Sequence, residues 1–145
     1  MTTDPRPAGT QPAGTPPAGA PADSTAVELA VFAARAIDDK KGEDITILEV
    51  GPILGITELF VITSASNSRL VRTIVDEVEE QVFILLDRRP VRVEGLNDRQ
   101  WVLMDYGDVV VHVFADEARR FYEIERLYKD VPQVEWQQVK DAEQA

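Results

Sequence analysis

From residue 24 onward the apolar positions switch between two periods. Leu29, Phe32, Ala33, Ala36 and Ile37 recur every three or four residues, which predicts a helix. Thr25-Ala-Val-Glu28 reads as its capping box, and Lys40, Lys41 and Gly42 suit its negative end and cap. Ile45-Thr-Ile-Leu-Glu-Val50 then reads as a strand, and Gly51, Pro52 and Gly55 as an irregular connection. A second strand runs from Glu58 to Ser64, and Ser66 or Asn67 can cap a long helix reaching about Leu86. Its expected buried face is Leu70, Val71, Ile74, Val75, Val78, Val82 and Leu85. Pro90 breaks the chain, Val91-Arg-Val93 is a short edge-like strand, and Glu94 to Arg99 is a loop. Trp101 to Asp105 and Val109 to Phe114 form a hairpin about the turn Asp105-Tyr106-Gly107-Asp108, with Gly107 supplying positive φ. The second hairpin strand is apolar almost without break, as expected for a strand covered on both faces. Asp116 caps a last helix with the face Ala118, Phe121, Ile124 and Tyr128, and Pro132 is expected to end ordered packing.

The order α-β-β-α-β-β-β-α predicts one α/β domain, with helices packed on a single mixed sheet. We place this domain at residues 24–130. Residues 1–23 form a Pro/Ala/Gly/Thr-rich zone with imperfect Pro-Ala-Gly repeats at 7, 12 and 17. With no large apolar side chains to bury, it is expected to be disordered. Residues 131–145 are expected to be a mobile polar tail.

Composition narrows the function classes. The chain of 145 residues carries 26 acidic and 15 basic residues, for a formal net charge of −11. Arg88, Arg89 and Arg92 adjoin Asp87 and Glu94, and Arg119 and Arg120 adjoin Asp116, Glu117 and Glu123. No concentrated positive face of the kind that tracks phosphates results. The charge favours a basic protein partner over RNA. The absence of cysteine excludes disulfides and thiol chemistry. No apolar run is long enough for a transmembrane helix, and no basic-then-apolar leader opens the chain, so a cytoplasmic location is expected.

Candidate chemistry is sparse. Asp105 and Asp108 flank a turn and could share a cation, although such residues more often satisfy turn amides. His112 is the single histidine. It shares a strand face with Val110 and Phe114, as a hydrogen-bonded core or interface group would. No phosphate-cradling loop is visible, and no cofactor or metal site is expected. By alternation Trp101, Leu103 and Asp105 share one face, and Val102, Met104 and Tyr106 the other. An acid beside an indole suits the border of a protein interface, while core filling is the alternative for Trp101.

The run Trp101-Val-Leu-Met-Asp-Tyr-Gly-Asp-Val-Val-Val-His-Val-Phe114 closely resembles the signature of the ribosomal silencing factor family (RsfS, Iojap-like). The run from Ile56 to Arg69, the stretch Ile37 to Ile45 and the segment Glu117 to Tyr128 extend the resemblance over roughly residues 25–128. Glu58 stands where the family usually has Asp, Leu59-Phe60 where an aromatic pair is common, and Ala65-Ser66-Asn67 where Gly-Thr-Ser is typical. The resemblance implies a fold related to the nucleotidyltransferases. It also implies a non-enzymatic clamp that binds the large ribosomal subunit through ribosomal protein L-fourteen and obstructs joining of the small subunit. Translation then falls under nutrient limitation or in stationary phase, and a role in large-subunit biogenesis accompanies this. Some members form homodimers. The expected contact set is Trp101, Met104, Asp105, Tyr106 and Asp108, joined by Leu59 and Phe60, with Arg119 and Arg120 at the rim. The alternative is a nucleotidyltransferase-like nucleotide-binding enzyme, favoured only by fold analogy. It lacks an Asp-x-Asp after the Ala65-Ser66-Asn67-Ser68 turn.

Overall fold

The computed structural model describes residues 24–137, so the expected N-terminal tail and the last eight residues lie outside the described part. The elements are α1 (Ser24–Asp39), β1 (Glu43–Glu49), α2 (Gly51–Leu54), β2 (Leu59–Ala65), α3 (Ser68–Leu86), β3 (Arg92–Glu94), β4 (Trp101–Asp105), β5 (Val109–Ala115) and α4 (Asp116–Tyr122). A 3-10 turn, Ile124–Tyr128, follows. The five strands form one sheet in the order β1-β2-β5-β4-β3. Strands β2 and β5 are parallel and every other pair is antiparallel. This is the single mixed-sheet α/β domain expected from the periodicity, with α2 added as one helical turn. Pro52 starts that turn and Gly55, at φ 74°, closes it.

Helices α1 and α3 cover one face of the sheet and build the main core. That core takes Ile47 from β1, Val61 from β2, Val102 and Met104 from β4, and Val109, Val111 and Val113 from β5. In α1, Ala26, Leu29, Ala30, Val31, Ala33, Ala34, Ala36 and Ile37 are all buried, because the helix is wedged between α3 and the sheet. Five of these buried residues are alanines, whose small side chains suit a helix packed on two sides. In α3, Asn67 caps the helix through its side-chain oxygen, which accepts from the Leu70 amide at 2.8 Å. Val71, Ile74, Val75, Val78 and Val82 are buried as predicted, whereas Leu85 is 51% exposed. The αL position after α1 is Lys41 rather than Gly42. A Cβ on Gly42 would collide with the Ile37 side chain, so that glycine serves close packing.

Two expectations at the C-terminal end fail. The last helix is not continuous: the chain turns at Glu123 (φ 47°), and Phe121 points outward, 79% exposed. The turn lets Ile124 enter a second, smaller core with Leu48, Val50, Ile62, Phe114 and Ala118 on the opposite sheet face. Packing also continues past Pro132. Glu49 donates its amide to the Pro132 carbonyl and Val134 donates to Ile47, so residues 132–134 lie along the free edge of β1. Trp136 is then buried in the main core, so the domain runs beyond the boundary expected at 130.

Candidate partner-binding surface

The alternation of β4 decides which candidate residues can meet a partner. Val102, Met104 and Tyr106 turn toward α1 and α3, and Trp101, Leu103 and Asp105 turn the other way and remain half-buried. Met104 is 0% exposed, Tyr106 2% and Leu59 0%. These three offer a partner no surface here. Their place in the expected contact set is corrected to the core, because the sheet face they occupy is the one the long helices seal. Tyr106 lies in the turn, but its ring folds back into the main core. Its hydroxyl is buried without a hydrogen-bond partner, and burial together with the Glu79 carboxylate pushes its pKa above the ordinary tyrosine value.

The other sheet face is only partly covered by α4 and the 3-10 turn, and it is lined with rings. Cross-strand register sets Trp101 opposite Phe114 and Leu103 opposite His112, while β2 brings Ile62 beside His112 and Phe60 beside Val110. Trp101 stacks on Phe114 with centroids 4.9 Å apart and meets Tyr122 at the same distance. Phe60 meets His112 edge-on at 4.4 Å and Tyr128 at 5.4 Å. The Trp101 indole N–H donates to His112 Nδ1 at 3.0 Å. His112 is 4% exposed, and burial pushes its pKa down to about 4, so the ring is neutral with its proton on Nε2. Gly95 (φ 91°) lies so close to the Trp101 carbonyl that a Cβ there would collide, which fixes the strand start. Leu103, Phe60 and Tyr128 are half-buried, and Tyr122 and Phe121 are exposed, so the face shows water a run of aromatic and aliphatic edges.

The turn acids are occupied. Asp105 accepts from the Gly107 amide at 2.8 Å and pairs with Arg92 at 3.5 Å. Asp108 takes a two-pronged bond from Arg88, at 2.9 and 3.1 Å, and Arg88 also donates to the Tyr106 carbonyl at 2.7 Å. Arg88 therefore ties the segment after α3 to the β4–β5 turn, and the paired Asp108 side chain, like that of Asp105, stays partly exposed. The two carboxylates do not converge on a shared cation, and no three acidic or histidine side chains among the described residues stand close enough to hold a metal. At the far end of the sheet, Arg119 is almost buried. It donates to Glu125 at 2.7 Å and lies within reach of the Glu43 carbonyl and Ser64 Oγ. It is a strut rather than a rim contact, and Arg120 alone stays exposed beside a polar cleft of about 510 Å³.

The expected set thus divides. Trp101, Asp105 and Phe60 come together on the open face, Met104, Tyr106 and Leu59 lie beneath it, and Asp108 closes the turn. Sequence reasoning missed Leu103, Tyr122 and Tyr128 as neighbours of that face. Alternation alone carried the signal for Leu103. The two tyrosines required knowing that the chain folds back across the sheet after β5.

The family model described as "Ribosomal silencing factor during starvation" matches residues 23–145. The chain belongs to the ribosomal silencing factor family. It is 38% identical over 103 residues to the ribosomal silencing factor of Bacillus subtilis, covering 69% of this chain and 84% of that one. It is 30% identical over 91 residues to a mouse protein named for mitochondrial assembly of the ribosomal large subunit, covering 61% of this chain and 40% of the mouse protein. A crystal structure of a protein from Chromobacterium violaceum superposes with a TM-score of 0.68 at 30% identity, covering 71% of this chain and 85% of that one. The family match includes residues 131–137, in keeping with the docked C-terminal segment.

Proposed function

We propose that this silencing-factor chain acts in the cytoplasm as a non-enzymatic clamp on the large ribosomal subunit. The half-open aromatic face of the sheet, centred on Trp101 with Phe60, Leu103 and Asp105, docks on ribosomal protein L-fourteen. The bound domain then occupies volume that the small subunit needs, and translation falls when nutrients are scarce. The observation that carries this reading is that one sheet face is sealed by the long helices while the other leaves Trp101 and Phe60 half-exposed beside the exposed Tyr122. A soluble domain rarely shows a contiguous apolar patch without a partner. The net charge of −11 supports a basic protein surface as that partner, since it speeds encounter with a positive protein and repels exposed RNA. Occupying the same face of a maturing large subunit would also serve its assembly, the process the mouse relative is named for.

A titration against purified L-fourteen tests the docking step. Leu103→Glu places a charge in the half-buried centre of the face, beside His112 and away from the main core. Affinity should fall by about thirtyfold or more, the scale of losing one interface hot spot, while the thermal melt stays cooperative. Unchanged affinity in the variant would move the contact to another surface.

A further inference from the structure

His112 lies at the middle of the open face yet has almost no surface of its own. Its ring is enclosed by Phe60 edge-on, Trp101 and Phe114. Of its two nitrogens, Nδ1 accepts from the Trp101 indole, and Nε2 is buried with no partner. A buried ring nitrogen left unpaired costs stability, and an apolar ring of similar size would avoid that cost. The side chain that contributes a useful bond here is the acceptor alone. The group it holds is the half-buried indole that borders the proposed docking face, stacked between Phe114 and Tyr122.

We propose that His112 is a positioning residue: by accepting the Trp101 N–H it fixes the indole plane in its docking orientation before any partner arrives. The inference rests on the docking reading above. Without the acceptor, the indole N–H would have to leave the face to find water, and the ring would turn with it. With the acceptor, the N–H is satisfied inward, and the ring meets the partner as an apolar plate with its ordering already complete in the free protein. His112 acts on the partner only through Trp101.

Two substitutions separate positioning from filling. His112→Phe keeps the ring volume and removes the acceptor. His112→Asn restores an amide oxygen near the place of Nδ1 and removes most of the ring. In the free full-length protein, the Trp101 indole N–H resonance should shift and exchange faster with water in His112→Phe and return toward the parent position in His112→Asn. The long-range nitrogen spectrum of the parent should show the Nε2–H tautomer near neutral pH. Binding to L-fourteen should weaken about three- to tenfold in His112→Phe, the worth of one hydrogen bond, and recover at least partly in His112→Asn. In a Trp101→Phe background, His112→Phe should change affinity no further. An unmoved indole resonance in His112→Phe, an Nδ1–H tautomer, or additive losses in the double variant would each overturn the proposal. If the parent itself does not bind L-fourteen, the docking reading falls, and the indole resonance still decides whether His112 holds the ring.

Discussion

Single residues on β4 have opposite duties according to which face they take. Met104 is fully buried among the valines of β5, so Met104→Ala should cost roughly 2–4 kcal/mol of stability through lost packing and a residual cavity. Any loss of partner binding in that variant should track the fraction unfolded. Tyr106 is the more discriminating case. Its ring fills core volume while its hydroxyl lacks a partner, so Tyr106→Phe should leave the fold as stable as the parent, or more stable by about 1 kcal/mol. Chemical denaturation of the two variants side by side checks both, and a large loss in Tyr106→Phe would reveal a hydrogen bond hidden from view. His112 sets a pH dependence. Its pKa is held down to about 4 in the folded protein and returns to the ordinary histidine value of about 6.5 on unfolding, so the unfolded chain binds the extra proton first. Stability from this residue is fully present above about pH 6.5 and is lost as the pH falls toward 4, at up to about 1.4 kcal/mol per pH unit. Melts of the parent and of His112→Phe across that window should show the parent losing stability relative to the variant toward acid pH. Parallel curves would show that the imidazole does not titrate this way.

At the scale of elements, the segment after the 3-10 turn is the part whose role changes most. Residues 132–134 shield the edge of β1, and Trp136 plugs the main core. Ending the chain at residue 130 should therefore lower the melting temperature markedly and bare a strand edge open to self-association. A melt and a sedimentation profile of the truncated chain test this, and an unchanged melt would mean that the docked segment is dispensable. This element also shows where sequence reading stops. Period-two alternation in β4, the valine run of β5 and the heptad-like face of α3 were legible, because each reflects burial against a neighbour on a regular lattice. Their signal also gave the two faces of β4, and thus the placing of Trp101 and Asp105. It did not place Met104 and Tyr106 in the contact set; that placing came from the family resemblance and took no account of which sheet face the helices seal. Val134 and Trp136 are two apolar residues in a polar stretch, too few for a period, and only the bond of Val134 to Ile47 and the place of Trp136 in the main core explain them. The break at Glu123 was equally silent, since no glycine or proline marks it.

At the scale of the molecule, the fold divides labour across one sheet. The face packed by α1 and α3 supplies stability, and the face bearing Trp101, Leu103 and Phe60 stays half open above its own small core. An acidic chain with one aromatic face and its turn acids already paired is suited to rigid docking on a basic protein, with little reordering on contact. On the proposed clamp mechanism obstruction needs only occupancy, so silencing should depend on the amount bound and on the order of addition. The most direct measurement is gradient sedimentation of the protein with free large subunits, free small subunits and joined ribosomes, followed by addition of small subunits to the preformed large-subunit complex. The protein should co-migrate with free large subunits alone, and the loaded large subunits should fail to join. Equal recovery in all three fractions, or normal joining by loaded large subunits, would contradict the clamp mechanism.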